Sequence, residues 1–447
     1  MKRGENTFSL RDIATGFGCC QQHLSGAKLD WLQNYREAAL AQLRQEGLPW
    51  RKTEDWKYTS VRALMTREFA LALTPIAVRP ERMPTLPDVE HRAVMINGCF
   101  SYSLSQLKTL PPGLSVSSLA AALVSHPQVL QDRVGATAVL ERHPFAALNS
   151  AFFHDGLVIE VASGVRVTEP LFILGWSGGV PCRLTQPRLL IDLGKGAELT
   201  LMEHYAGDGV GHFNNQLAEI SLGENAQLTH VTLHQAAGDH LIHGTHVRCG
   251  RGSRYRAWNI DLDGVLLRND LAVRLAERGA ECSLDGLFLV GESRHVDNHI
   301  RIDHQAIACR SRVFYKGLLG KGGRGVFNGK VIVHPEGQQT DARQVNCNLL
   351  LARDVEIDSK PELEIYADDV KCSHGSTAGE LDNDSLFYLR SRGISLPRAR
   401  TLLAEAFARE IIDRMKVSIE DGKMLCHWVT AKLTPQLHQL ANREVTL

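Results

Sequence analysis

The sequence predicts a mainly β chain: a stacked β-helix core with helical regions on both flanks. Three observations lead there. From about residue 156, short apolar or alternating runs follow one another, each broken by a glycine-containing turn, as in "GLVIEV", "LFILGW", "RLLIDLGKGAELTLMEH" and "LAEISLGENAQLTHVTLH". The turns repeat: "DLGKGAELT", "SLGENAQLT", "RCGRGSRYR" and "LAERGAECS" place Ala197, Ala226, Ser253 and Ala280 at near-constant spacing, and "DHQAIACRS" continues the series at Ala308. On either side of this region the texture is helical.

A period near 28 residues in β texture means a solenoid or a propeller, and propeller blades are longer, at roughly 40–50 residues. Two short strands and their turns fit one coil of a β-helix, and each coil buries its inward side chains on the next. A large β-sandwich with coincidental spacing is the alternative. Residues 1–28 are an unassigned extension; 29–90 read as a helical region with a proline-rich linker; 91–155 are mixed α/β; 156–380 are the β-helix core; 381–447 are a C-terminal helical region. Residues 29–46 carry Leu32, Tyr35, Ala39 and Leu43 at helical spacing, with Gly47 placed to end the helix, and 60–72 read as a second helical segment. Pro75, Pro80, Pro84 and Pro87 mark the linker. "RAVMINGCFS" reads as strand and turn, "SLAAALVSH" as a short helix. In "SLPRARTLLAEAFAREIIDRM", Ser395 and Pro397 suit a helix start, and 423–441 hold one or two more helices.

Composition narrows the function classes. Lys plus Arg equals Asp plus Glu, 50 each, so no global charge steers the chain to nucleic acid or an anionic membrane. No run of 18 apolar residues appears and the N-terminus lacks an apolar h-region, which predicts no membrane span and no secretory signal. The ten cysteines show no CxxC and read as reduced thiols in a cytoplasmic protein, most of them buried. "GKGGRG" (320–325) matches the dinucleotide fingerprint only formally, because a strand and not a helix follows; with Gly322 after Lys321 it also fails as a P-loop. No nucleotide is expected to bind this chain. His230, His234, His240, His243 and His246 read as a polar, solvent-facing ladder, since no cysteine or carboxylate nearby in sequence completes a metal site.

The remaining chemistry lies in "LEIYADDVKCSHGSTAGE". On an extended strand, Cys372 and His374 share a face, close enough to hold one soft or borderline metal. Two donors are too few for a closed four-ligand site, and a Cys/His catalytic dyad normally draws on separate elements. The pair is structural, or another chain or a bound cluster completes it.

"KPELEIYADDVKCSHGSTAGELDNDSLFYLRSRGI" resembles the signature of the SufD family of the Suf iron–sulfur cluster assembly machinery. "RKTEDWKYTSV", "PFAALNSAFFHDGLVIEV" and "RGVFNGKVIVHPEGQQTDARQVNCNLLLA" resemble further blocks of that family, so the likeness spans roughly 30–440. It implies a right-handed parallel β-helix and a non-enzymatic scaffold that pairs with a SufB-like paralogue and binds a SufC-like ABC ATPase near 387–412; it also allows a homodimer of the isolated chain. SufB-like chains carry "EHEATTS" where this one has "SHGSTAG", so Gly375 stands for a Glu and favours the SufD branch. By resemblance, Cys372 and His374 lie near the paralogue interface and serve a transient iron–sulfur cluster or iron shared with the partner. Cys347 falls one position from a functional cysteine of SufB-like chains. The rival reading is a β-helix carbohydrate-active enzyme, which would call for paired carboxylates; Asp368 and Asp369 are neighbours that face opposite ways on a strand.

Overall fold

A computed structural model describes residues 7–50, 52–74, 76, 78, 83–418 and 422–442. Strand exceeds helix, 43 % to 26 %, and the strands wind into a solenoid of about eight turns, which settles the class as mainly β. In chain order, the lead-in holds β1 (Thr7–Ser9), α1 (Ile13–Cys20), α2 (Asp30–Glu46), α3 (Arg62–Met65), β2 (Glu68–Leu71), β3 (His91–Ile96), β4 (Cys99–Phe100), β5 (Leu114–Ser118), α4 (Leu119–Ser125), α5 (Pro127–Gln131) and α6 (Pro144–Phe152). α2 ends at Gly47, whose φ of 73° suits glycine. The second expected helix is reduced to α3, and 68–71 form a strand instead: β2 pairs with β1 and with β8 (Arg183–Thr185), and Phe69 and Leu71 are buried against the solenoid. Part of the proline-crowded stretch lies outside the described residues.

Each coil contributes one strand to each of two parallel sheets. The first is built from β7 (Leu171–Ser177), β10 (Glu198–Gly207), the leading halves of β12 (Gln227–Cys249) and β13 (Arg254–Leu275), β14 (Glu281–Val290), β16 (Arg310–Leu319), β18 (Thr340–Leu350) and β20 (Val370–Glu380). The second uses β6 (Gly156–Val161), β9 (Arg188–Leu193), β11 (Phe213–Leu222), the trailing halves of β12 and β13, β15 (His295–His304), β17 (Arg324–Val333) and β19 (Glu356–Ile365), with short β8 (Arg183–Thr185) beside β11.

Ala197, Ala226, Ser253 and Ala280 occupy equivalent positions. Each is buried just before a first-sheet strand, and its carbonyl accepts from the next coil: Gln227, Arg254, Glu281 and Arg310 donate at 2.8, 2.9, 2.9 and 3.1 Å. The next member is Cys309, which accepts from Asp341, and not Ala308. Ala308 sits one place earlier, at a left-handed corner (φ 60°) shared with Gly196, Asn225, Gly252, Gly279 and Gln339. Here the coil is two residues longer than each of the preceding two, which shifts the apparent repeat.

Inward residues such as Leu199, Leu201, Leu228, Val247, Val273, Leu284, Ile302 and Val331 fill the lumen. The outer side of the first sheet is also buried: Met202, Val231, Leu233, Trp258, Ile260 and Leu287 lie under α8 (Leu396–Ser418) and α9 (Gly422–Asn442). Burial on both sides gives β7 a nearly continuous apolar run, whereas the later strands of this sheet carry polar side chains such as Glu203, His230 and His234 into the lumen. The second sheet is covered by the lead-in, and "EDWKYT" fastens it. Glu54 pairs with Lys360 at 3.3 Å, Trp56 packs on Arg268, and the Thr59 hydroxyl donates to Asp297 at 2.5 Å. "GKGGRG" is the turn from β16 to β17. α7 (Asn383–Ser391) follows the last strand, capped by Asp382, whose carboxylate accepts from Ser385 N–H.

Candidate functional site

The solenoid ends on β19 and β20, each paired with the preceding coil on one side only. Parallel ladders point the N–H and C=O of alternate residues to opposite sides. Asp341 and Leu351 donate to Cys309 and Leu319, so the odd residues of this strand register face back along the stack. On β20 the even residues, Cys372, His374, Ser376 and Ala378, therefore turn their backbone polar groups to the open edge.

The same residues aim their side chains at the lumen. Cys372 stands in register with buried Ala342 and packs on the lumenal core; His374 stands opposite Gln344, and its side chain is exposed at the open end. Beside them Ser359 of β19 donates to Asn346 at 2.8 Å and meets the Ser376 hydroxyl at 2.7 Å. Burial raises the Cys372 thiol, with the Ala342 backbone opposing and Asp341 adding to the rise, so the free thiol stays protonated until a metal or cation displaces its proton. Cys372 and His374 thus share one face, as their spacing predicts. Cys347 belongs to the odd, outward register of β18 and does not join them. Among the described residues no cluster of three or more His, Cys, Asp or Glu side chains forms a metal site, so this end offers one soft and one borderline donor with hydroxyl and amide neighbours.

The histidine-rich stretch differs from its sequence reading. His230, His234 and His243 are buried inside the lumen, His246 is buried beneath the lead-in, and none of them faces solvent. Carboxylates from other coils meet them: Glu203 bonds His230 at 2.8 Å, and Asp261 bonds His234 at 2.8 Å. Burial works to raise the Glu203 pKa, but His230 and the Tyr205 hydroxyl outweigh it and hold it at about 2. Burial pushes His243 down to about 3, so its imidazole is neutral.

The outer helices make a second surface. Arg414 of α8 bonds Asp285 at 2.5 Å, and Lys316 Nζ reaches the Phe407 carbonyl at 3.0 Å and Glu410 at 2.5 Å, which anchors α8 to the first sheet. α7 has no buried residue, and Phe387 and Tyr388 are 75 % and 58 % exposed, the largest exposed apolar pair on this flank.

Parallel coils, a helical cover on each sheet and an open strand end carrying a Cys/His pair define a β-solenoid protein. The pattern for the SufBD core domain of SUF system FeS cluster assembly matches residues 176–407, and that for the SufBD N-terminal region matches 12–173. The chain belongs to the SufBD family and is of SufD type. It is similar to the iron–sulfur cluster assembly SufBD family protein slr0076 of Synechocystis (32 % identity; 90 % of this chain, 92 % of the relative). It is likewise similar to the iron–sulfur cluster assembly protein SufD of Escherichia coli (30 %; 84 % and 88 %) and to the chloroplastic protein ABCI7 of Arabidopsis thaliana (28 %; 86 % and 82 %).

Proposed function

We propose that this chain is a non-enzymatic scaffold of the Suf machinery that pairs with a SufB-like paralogue through β19 and β20 and holds iron or a nascent cluster as cargo between the two chains. One observation carries the reading: the open strand edge and the Cys372/His374 donors are the same residues of β20. A partner strand that satisfies the edge N–H and C=O groups is brought against both donors, and it can supply the ligands this chain lacks. Neutral imidazole and thiolate both suit iron.

The exposed Phe387 and Tyr388 support α7 and the start of α8 as the contact for a SufC-like ATPase, with ATP bound by that partner. The core 156–380 is then the assembly body and 381–447 the region that receives the ATPase's motion, in a cytoplasmic complex. No helix of the described residues is long and apolar enough to cross a membrane.

The test is to co-purify the chain with a SufB-like and a SufC-like protein, load iron and sulfide anaerobically, and record Mössbauer spectra. Expected is a cluster signal that requires this chain and falls in the His374→Ala complex. An unchanged signal in complexes lacking the chain would refute the scaffold role. Retention of the ATPase after Phe387→Asp and Tyr388→Asp together would refute the proposed contact.

A further inference from the structure

Ten buried side chains form one hydrogen-bonded chain through the lumen, from Tyr255 through His230, Glu203, Tyr205, Gln216, His243, His234, Asp261 and Asn269 to Asn298. Gln216 is its hub. Its Nε2 faces the Tyr205 hydroxyl and lies 3.3 Å from Glu203 Oε2 and 3.4 Å from His243 Nε2. A carboxylate at that distance requires the amide nitrogen there, so Oε1 points elsewhere. Gln216 is 2 % exposed, and its Oε1 has no donor among the described residues.

Gln216 also lines a cavity with about 20 Å³ of room, where one water needs roughly 10–15 Å³. The other walls include Asn214, Ser177 and Thr185. Both hydroxyls donate to Asn214 Oδ1 at 2.6 Å, which leaves their lone pairs free to accept. The lining residues therefore carry several acceptors, among them Gln216 with a buried amide oxygen that needs a donor.

The same orientation fixes the imidazoles. Gln216 Nε2 carries two hydrogens and accepts none. The Tyr205 hydroxyl, which gives its own proton to Glu203, takes one, and the other is shared between Glu203 Oε2 and His243 Nε2. His243 Nε2 therefore faces a donor, and the single proton of this neutral ring sits on Nδ1. His243 Nδ1 then donates to His234 Nε2 at 2.7 Å, and His234 Nδ1 donates to Asp261 at 2.8 Å. Every bond on this branch points the same way, and such chains polarise one another.

We infer that the cavity is a binding site for one water molecule, which donates to Gln216 Oε1 and heads a one-way relay through Gln216, His243 and His234 to Asp261. The water's donation polarises the amide and strengthens its N–H groups as donors, so the occupant and the histidine tautomers are coupled.

Nitrogen-15 NMR of the histidines in the full chain, with crystals of the same chain under xenon pressure, tests this. Expected are Nδ1–H tautomers at both His234 and His243, ordered water density within hydrogen-bonding distance of Gln216 Oε1, and no xenon at that position. In Gln216→Met, His243 is expected to lose its fixed tautomer while Asp261 and His234 stay bonded. Xenon filling the cavity of the unaltered chain would show an apolar, dry site and overturn the inference. An Nε2–H tautomer at His243 would overturn the relay direction. Both readouts use the unaltered chain and stand even where the variant fails to fold.

Discussion

The ring of Trp56 lies 3.7 Å from the guanidinium of Arg268, so the lead-in is laid flat on a charge of the second sheet. Arg268 is almost fully buried, and it also bonds Asp270 at 2.7 Å, Asp297 at 2.5 Å and the Asp55 carbonyl at 2.9 Å. One cation thus joins two coils to the lead-in.

Arg268→Ala leaves both aspartates buried without their partner, and a loss of about 3–5 kcal/mol is expected. Trp56→Ala removes packing and the cation–π contact but no charge. Urea denaturation of the two variants checks the ranking; equal stability to the parent would show that the lead-in is held elsewhere.

Asp239 gives a pH signature. It is fully buried, and burial raises its pKa to about 7 against the opposing bonds from His212 and Gly211 N–H. A carboxyl whose folded pKa exceeds its unfolded value costs stability as pH rises, from about pH 4 up to about 7, and the cost is complete above that. Asp239→Asn keeps an oxygen for both N–H groups and removes the ionisation. Its melting temperature is expected to exceed the parent's at pH 8 and to approach it at pH 4. The opposite trend would mean that the carboxylate is stabilised in the fold.

At the left-handed corner, Ala308 stands where three other coils carry glycine, and a side chain there is strained. Ala308→Gly is expected to stabilise by roughly 0.5–1 kcal/mol after the unfolded-state entropy of glycine is counted. A measured loss of stability would indicate that the Ala308 methyl packs usefully.

The open edge separates two proline variants. Ala378→Pro removes an N–H that faces outward, so partner binding is expected to fall while the chain stays folded. Thr377→Pro removes an N–H that serves the β18 ladder and is expected to destabilise the chain itself. Circular dichroism melts and pull-down with a SufB-like chain distinguish them; identical behaviour would break the ladder-parity argument.

His374→Ala is expected to fail in complementing a strain without the native chain under iron limitation, at normal soluble expression. Cys372→Ala should fall short of that effect, and Lys371→Ala, on the outward register, should complement fully. Full complementation by His374→Ala with failure of Lys371→Ala would place the function on the other strand face.

The coil repeat was legible because each corner demands a small buried residue after a left-handed one, and both demands leave a mark in the sequence. The mark blurred at Ala308, where a lengthened coil put alanine at the strained place and Cys309 at the small one. The Cys372/His374 face was legible because strand alternation needs only two neighbours. The lumen was not. His234 meets Asp261 from the next coil, so no local window shows the carboxylate beside it, and His243 nearby in sequence does not by itself reveal that both point inward. A polar alternation reads as a wet face when the apolar surroundings lie a coil away. The strand at 68–71 was lost in the same manner, since its partners β1 and β8 are remote.

In a stack whose units touch only their neighbours, cohesion is passed along link by link. The coil formed by β19 and β20 is held from one side, whereas β12 and β13 are clasped from both. Opening should therefore begin at that end and travel inward, and amide exchange should slow progressively from Glu380 toward Arg254. A strand docked there turns the loosest link into an interior one, so recognition and stiffening of the molecule become a single event.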